Sequence, residues 1–553
     1  MSAGVLFRLA TAVAVLFPGA AISATLKPPV VKAPAGQVQG VNDGSIRVFK
    51  GIPFAEPPVG PLRWRPPVPK APLKRTFDAS SFGPACFQPV SKMDNIYANN
   101  PWPMSEDCLS LNVWSSAKAK KAPVFVWIYG GALWSGTSRD PLYDGRKLAE
   151  RGVVVVSLNY RLGPLGWLAH PELSRESGEG VSGNYGLMDQ IAALRWVRQN
   201  IRSFGGDPSN VTIAGESAGA LSVMYLMASP PARGLFSKAI AQSAYMISTP
   251  ELKAARHGSP PAEQIGAFVG QKLGASDLAK LRAMPADELT KGAAAAGFFP
   301  LGVVDGEYLP DQLVNVFDRG EQARVPVLAG FNEGEIRSLK ILAPPAPASA
   351  SEYETKIRAA YGELADEFLR LYPAATYRDS ILATTRDALY GWTAERLARS
   401  QRALGAPSFL YLWDHGYPSA DDAGLHAFHG SEIPYVFGSY DRTPPLWPKV
   451  PDRGGERALS EAMLDYWASF ATTGTPRSRG AAEWPAFGSA RAYLHFRDTP
   501  RAERQLMPGM FELNEELMCR RKAAGNIGWN WNVGLASPPL PPAAGCIFGK
   551  AKG

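Results

Sequence analysis

Residues 211–219 read VTIAGESAG, and residues 220–228 (ALSVMYLMA) continue as an apolar, helix-forming stretch. A chain that passes from strand to helix within a residue or two forces strained backbone on the residue at the turn, and side chains two positions either side would collide. Gly215 and Gly219 remove those side chains and leave the Ser217 hydroxyl exposed. The amide of Ala218, at the start of the helix, is then aimed at a developing negative charge. G-x-S-x-G alone is a weak signal, and an ordinary serine in a glycine-rich turn is the plain alternative. A strand before it and a helix after it favour a serine nucleophile.

The same strand–helix alternation runs through the chain. Residues 124–129 (VFVWIY), 153–160 (VVVVSLNY), 211–214, 325–329 (VPVLA) and 409–413 (FLYLW) are apolar throughout rather than alternating, as expected for a parallel sheet covered on both faces. Residues 189–201 carry Ile191, Leu194, Val197 and Ile201 about a turn apart and predict a helix. Residues 36–54 read as antiparallel strands with an Asp43-Gly44 turn, followed by a proline-rich crossing at 57–72. Residues 262–273 and 277–289 read as helices of a cap excursion around 250–300. Length alone, at about 150 residues per domain, would suggest three or four domains. No segment resembles a flexible linker, however, so 25–553 is expected to be one α/β domain with insertions.

Hydrophobic residues at 46% and charged residues at 20% exclude an intrinsically disordered chain. The net charge of +8 is scattered without a basic block, which gives nucleic-acid binding no support. Near the N-terminus, Arg8 precedes an apolar run at 9–17, then Pro18, Gly19 and small residues through Ala24. This is the outline of a signal peptide over 1–24, so a secreted or periplasmic protein without a stable membrane anchor is expected. Export permits disulfides, and of the three pairings open to four cysteines the local one is expected: Cys86 with Cys108, and Cys519 with Cys546. The six histidines show no HExxH pattern and no Cys/His spacing suits zinc, so neither a metal nor an organic cofactor is expected.

Tyr129-Gly130-Gly131-Ala132-Leu133 follows the 124–129 strand directly. Two glycines let the backbone turn its N–H groups toward a ligand, so Gly131 and Ala132 join Ala218 as candidate oxyanion donors; alone the sequence would be a plain Gly-Gly turn. A serine nucleophile needs a histidine base oriented by a carboxylate, here in the order Ser, acid, His. His429 opens HGSEIPYVFG beyond the 409–413 strand, with His426 as its rival. Glu335 stands just past the 325–329 strand in GFNEGE, with Glu333 as its rival. All four elements fall at carboxyl ends of strands, where open α/β sheets place their active sites.

Three further stretches, FKGIPFAEPPVG at 49–60, EDCLSLNVW at 106–114 and FGGDP at 204–208, complete a sequence that resembles the type-B carboxylesterase and cholinesterase family of α/β-hydrolases over nearly its whole mature length. The resemblance implies an α/β-hydrolase fold, Ser217 as nucleophile, Glu335 as acid and His429 as base. It also implies a Cys86–Cys108 disulfide, and Glu216 with Ser243 close behind these residues. Two departures stand out. The family's usual Asp-Glu-Gly becomes Glu333-Gly334-Glu335, and the third glycine of the oxyanion loop is Ala132. Where cholinesterases carry the tryptophan that stacks on choline, this chain has Ala98, and Trp102 is nearby but not aligned.

The expected reaction is ester hydrolysis through an acyl-enzyme on a small-molecule ester. A lactone or amide hydrolase would use the same machinery, and a non-catalytic adhesion-type protein of the same fold is the rival from another class. The segments 262–289 and 97–102 are expected to shape the mouth of the pocket. Trp134 and Phe299 are expected either to line an acyl pocket or to pack in the core. Neither the natural ester nor the oligomeric state is written in the sequence.

Overall fold

The computed structural model describes Met1 and residues 27–90, 95–529, 532–543 and 545–546; apart from Met1, the expected signal segment 1–24 lies outside the described residues. Among the described residues one sheet has eleven strands: β1 (Val41–Asp43), β2 (Ile46–Pro53), β3 (Ser110–Ser116), β4 (Ala122–Ile128), β5 (Val154–Leu158), β6 (Gly206–Glu216), β7 (Lys238–Gln242), β8 (Val327–Asn332), β9 (Ser408–Trp413), β10 (Ala492–Phe496) and β11 (Arg501–Arg504). Their spatial order is β11-β10-β9-β8-β7-β6-β4-β5-β3-β2-β1. The run from β10 to β5 is parallel, and antiparallel pairs close both edges. β6 sits near the middle and carries Ser217 at its end.

Every residue of β5, β7, β8 and β9 is buried, which explains why these segments lack polar alternation. The pleat of β4 feeds two separate layers. Val124, Val126 and Ile128 pack with α1 (Tyr185–Asn200) and α2 (Ala218–Ala228), whereas Phe125 and Trp127 pack with α3 (Gly454–Thr473). Burying the sheet between these helix layers removes its apolar surface from water.

Local expectations shift in instructive ways. The 36–54 segment divides between two sheets: Gly36–Gln39 pairs with Val30–Ala33 and Leu73–Asp78 in a separate three-stranded sheet, and only β1 and β2 form the hairpin. Asp43 pairs with Ile46, so the tip is Gly44-Ser45, one residue beyond the expected turn, with Gly44 at φ 61°. The helix expected at 277–289 is interrupted by Pro285 into Leu278–Ala283 and Ala286–Ala295, because proline has no N–H to donate and clashes with the preceding turn. Cys86 is bonded to Cys108 and Cys519 to Cys546. Among the described residues no helix is long and apolar enough to cross a membrane.

Candidate active site

β6 ends at Glu216 and α2 begins at Ala218, so Ser217 is the single residue between them, at φ 55° and ψ −123°. Left-handed backbone at a non-glycine residue costs on the order of 1–3 kcal/mol and persists only where its surroundings impose it. Here the Ser217 N–H donates to the Gln242 carbonyl at the end of β7, at 2.9 Å. A Cβ on Gly215 would lie 2.4 Å from the Gly219 carbonyl carbon, and one on Gly219 would lie 2.0 Å from the Ile128 carbonyl oxygen. Both glycines are therefore demanded by backbone passing over backbone.

The loop after β4 crosses directly above this turn, since a Cβ on Gly130 would meet the Glu216 carbonyl oxygen at 2.8 Å and Ser217 Cβ at 3.1 Å. Gly131, Ala132 and Leu133 follow at φ 100°, 55° and 58°. This left-handed run is folded back by the N–H groups of Trp134 and Ser135, which both donate to the Gly131 carbonyl at 3.0 Å. Gln88, two residues past Cys86, holds the far end: its Nε2 donates to the Gly136 carbonyl and its Oε1 accepts from the Gly136 N–H, both at 2.9 Å. Ala218 is the first residue of α2, where an amide has no acceptor within its own helix.

Glu335 opens the short helical turn Glu335–Ser338 after β8 and is fully buried. Its Oε1 accepts from the Asn332 N–H at 2.9 Å, and its Oε2 is hydrogen-bonded to His429 Nδ1. The two rivals face elsewhere. Glu333 Oε1 accepts from Arg386 at 2.8 Å, while His426 is bonded through Nδ1 to Asp421 and through Nε2 to Asp414. Glu333, Asp414 and His426 bring donor atoms within 4.8 Å of one another. Arg497 already donates to Asp414, as Arg386 does to Glu333, so the carboxylates of that cluster are engaged by side-chain donors.

Behind the imidazole lies a polar layer that sequence reasoning did not assign. Glu432, three residues after His429 in an otherwise apolar run, is fully buried and accepts from Gln242 at 2.8 Å and Asn332 at 2.7 Å. That isolated carboxylate was the available signal. Glu216 Oε1 is buried without a hydrogen bond and stands 3.1 Å from His429 Nε2. Burial pushes the Glu216 carboxyl up to about 8 against the pull of His429. Burial disfavours the His429 imidazolium, but the carboxylates of Glu216 and Glu335 outweigh this and lift it to about 9. Ser243 directly follows Gln242, which is in register with Glu216, and its hydroxyl has no hydrogen-bond partner among the described residues.

Ser217, His429, Gly131, Ala132 and Glu216 open onto one cavity of about 490 Å³. Trp134 and Phe299 both line it, joined by Tyr143, Tyr245, Tyr390 and Trp447. The 97–102 segment contributes Tyr97, Asn99, Asn100 and Pro101 to the wall, while Trp102 points to solvent. No residue of 262–289 lines the cavity, contrary to expectation. The helix Ala262–Lys272 packs down instead, so tightly that a Cβ on Gly266 would strike the Ala169 carbonyl. Leu339, Ile341 and Leu342, which follow Glu335 in the chain, contribute to the wall instead.

The parallel sheet with its flanking helices, and the sharp serine turn beside this cavity, define an α/β-hydrolase. The Carboxylesterase family model matches residues 27–512. Fumonisin B1 esterase of Sphingopyxis macrogoltabida is 38% identical over 477 residues, 82% of this chain and 83% of that protein. Para-nitrobenzyl esterase of Bacillus subtilis (strain 168) is 35% identical, covering 83% and 92%. Among solved structures, a thermophilic PNB esterase superposes with a TM-score of 0.74 at 33% identity, over 87% of this chain and 99% of that one. The chain belongs to the carboxylesterase family and is a carboxylic ester hydrolase.

Proposed function

We propose that ester cleavage proceeds through a covalent acyl-enzyme on Ser217. Its oxygen adds to the ester carbonyl carbon as its proton passes to His429 Nε2; the bond to the alcohol oxygen then breaks as that oxygen takes the proton. Water gives a proton to Nε2, adds to the acyl carbon, and releases the acid as Ser217 recovers its proton. Glu335 holds the Nδ1–H edge of the ring and favours the imidazolium. The amides of Gly131, Ala132 and Ala218 receive the oxyanion.

The observation that carries this reading is Ser217 on its strained turn, sharing a cavity with a histidine whose other nitrogen is bonded to a buried carboxylate. The Ser217 hydroxyl forms no hydrogen bond to His429 among the described residues, and such bonds commonly tighten only when substrate binds. Among the described residues the cavity wall holds Glu216 and Asp140 but neither Lys nor Arg, and the rings of Trp134, Tyr245, Phe299 and Tyr390 line it, which favours an uncharged ester with apolar or aromatic groups. In keeping with this, the Bacillus relative is named for para-nitrobenzyl esters. Export through the 1–24 segment and a single catalytic domain over 25–553 belong to the same proposal. Ser217→Ala is expected to lower kcat on a para-nitrophenyl ester more than about a hundredfold and to abolish fluorophosphonate labelling. Activity retained above a hundredth of wild type would contradict the assignment.

A further inference from the structure

The loop closed by Cys86–Cys108 meets the proposed base through Tyr97. Tyr97 caps a tight turn in which its own N–H donates to Asn95 Oδ1 at 2.9 Å, and its ring packs edge-on against Trp447 and the His429 imidazole, with centroids 5.7 and 6.5 Å apart. Its hydroxyl donates to the His429 carbonyl oxygen at 2.9 Å and lies 2.7 Å from Ser338 Oγ. Ser338 Oγ in turn accepts from the His429 N–H at 3.3 Å and lies 3.4 Å from the Glu335 carbonyl oxygen, to which it donates.

Both backbone polar groups of His429 are thus held by two hydroxyls, one from a disulfide-closed loop and one from the helical turn that begins with Glu335. Neither hydroxyl touches the imidazole nitrogens. The residues just before His429 are tied to the end of β8, the Gly334 N–H donating to the Ala427 carbonyl and Asn332 Nδ2 to the Phe428 carbonyl, both at 2.8 Å. At His429 itself the two hydroxyls complete that attachment to the segment carrying the acid.

We propose that Tyr97 and Ser338 act as a clamp that sets the position of His429 against Glu335 and Ser217, making the 86–108 loop part of the catalytic apparatus as well as a wall of the cavity. The proposal rests on His429 acting as the base. Tyr97 and Ser338 are positioning residues: a displacement of the base by a fraction of an ångström slows the proton transfers while substrate binding is maintained.

The test uses Tyr97→Phe, which keeps the ring contacts, and Ser338→Ala, each in the full-length protein. Each is expected to lower kcat on a para-nitrophenyl ester on the order of tenfold, with KM within about twofold and thermal midpoint nearly unchanged. The rate of fluorophosphonate labelling should fall in parallel. Because the two hydroxyls share one bond, the double variant should lose much less than the product of the single losses. Unchanged kcat, a loss confined to KM, or a loss seen only as a lowered thermal midpoint in both variants would overturn the clamp. A wild-type protein indifferent to Ser217→Ala would instead defeat the functional reading on which the clamp rests, so the two failures are separable.

Discussion

His429 Nε2 is the atom on which the proposed chemistry turns, and Glu216 Oε1, 3.1 Å away, competes for it with the Ser217 hydroxyl. A base must be unprotonated, so kcat/KM is expected to rise with pH as the imidazolium loses its proton. Carboxylates beside the ring lift that event to about 9, above the ordinary histidine range. Removing the Glu216 charge removes one cause of the lift, so the acid limb of the kcat/KM profile in Glu216→Gln should move to lower pH. A limb that stays in place, or climbs, would mean that Glu216 does not set the ionisation of the base. The glycines around Ser217 marked that turn in the sequence, whereas chain order narrowed the proposed partners to His429 or His426 and Glu335 or Glu333, and the family resemblance pointed to His429 and Glu335. Tyr97 and Ser338 were not legible: their partners lie 332, 241 and 91 positions away, and no local pattern announces a tertiary hydroxyl contact.

At the scale of elements, the ends of β4 and β6 are fitted to each other without slack. The start of α2 lies against the last carbonyl of β4, so Gly219→Ala places a methyl 2.0 Å from the Ile128 oxygen in a region where only backbone could yield. The expected cost is about 3 kcal/mol or more, read as a lowered denaturation midpoint, with the loss of esterase activity following the displaced turn. A variant of wild-type stability would show that the turn has room. Strand identities were readable because burial on both faces selects unbroken apolar runs, and the strand ends were not. β8 begins two residues later than its apolar run and continues through Gly330-Phe331-Asn332, because pairing with β9 at each of these positions, rather than hydropathy, decides where it stops. The split of 36–54 between two sheets was equally hidden, since each half reads as a strand and only the tertiary partner differs.

At the scale of the whole molecule, the disulfide between Cys86 and Cys108 ties down a loop that touches three parts of the site: Gln88 grips the loop after β4, Tyr97 meets His429, and Asn99 Nδ2 donates to Asp140 in the cavity wall at 2.5 Å. Replacing both cysteines by serine is expected to cost about 3 kcal/mol, the closure entropy of a loop of this length. It should also depress kcat more than an equal destabilisation applied at the Cys519–Cys546 bridge, none of whose described residues lines the cavity. Equal effects of the two pairs on kcat at matched stability would show that the first loop acts through stability alone. On the proposed single-domain reading, the domain count suggested by length does not apply for a related reason: the proposed active-site parts follow strands far apart in sequence that belong to one sheet.

The strand order has a consequence in time. Ser217 is presented by β6, but its proposed proton acceptor is delivered only after β8 and β9 have added to the same sheet. A polypeptide still being synthesised therefore carries the reactive hydroxyl for more than two hundred residues before the partner that would activate it exists. On this mechanism the nascent chain is catalytically silent by construction until the segment that carries His429 has been made and has joined the sheet.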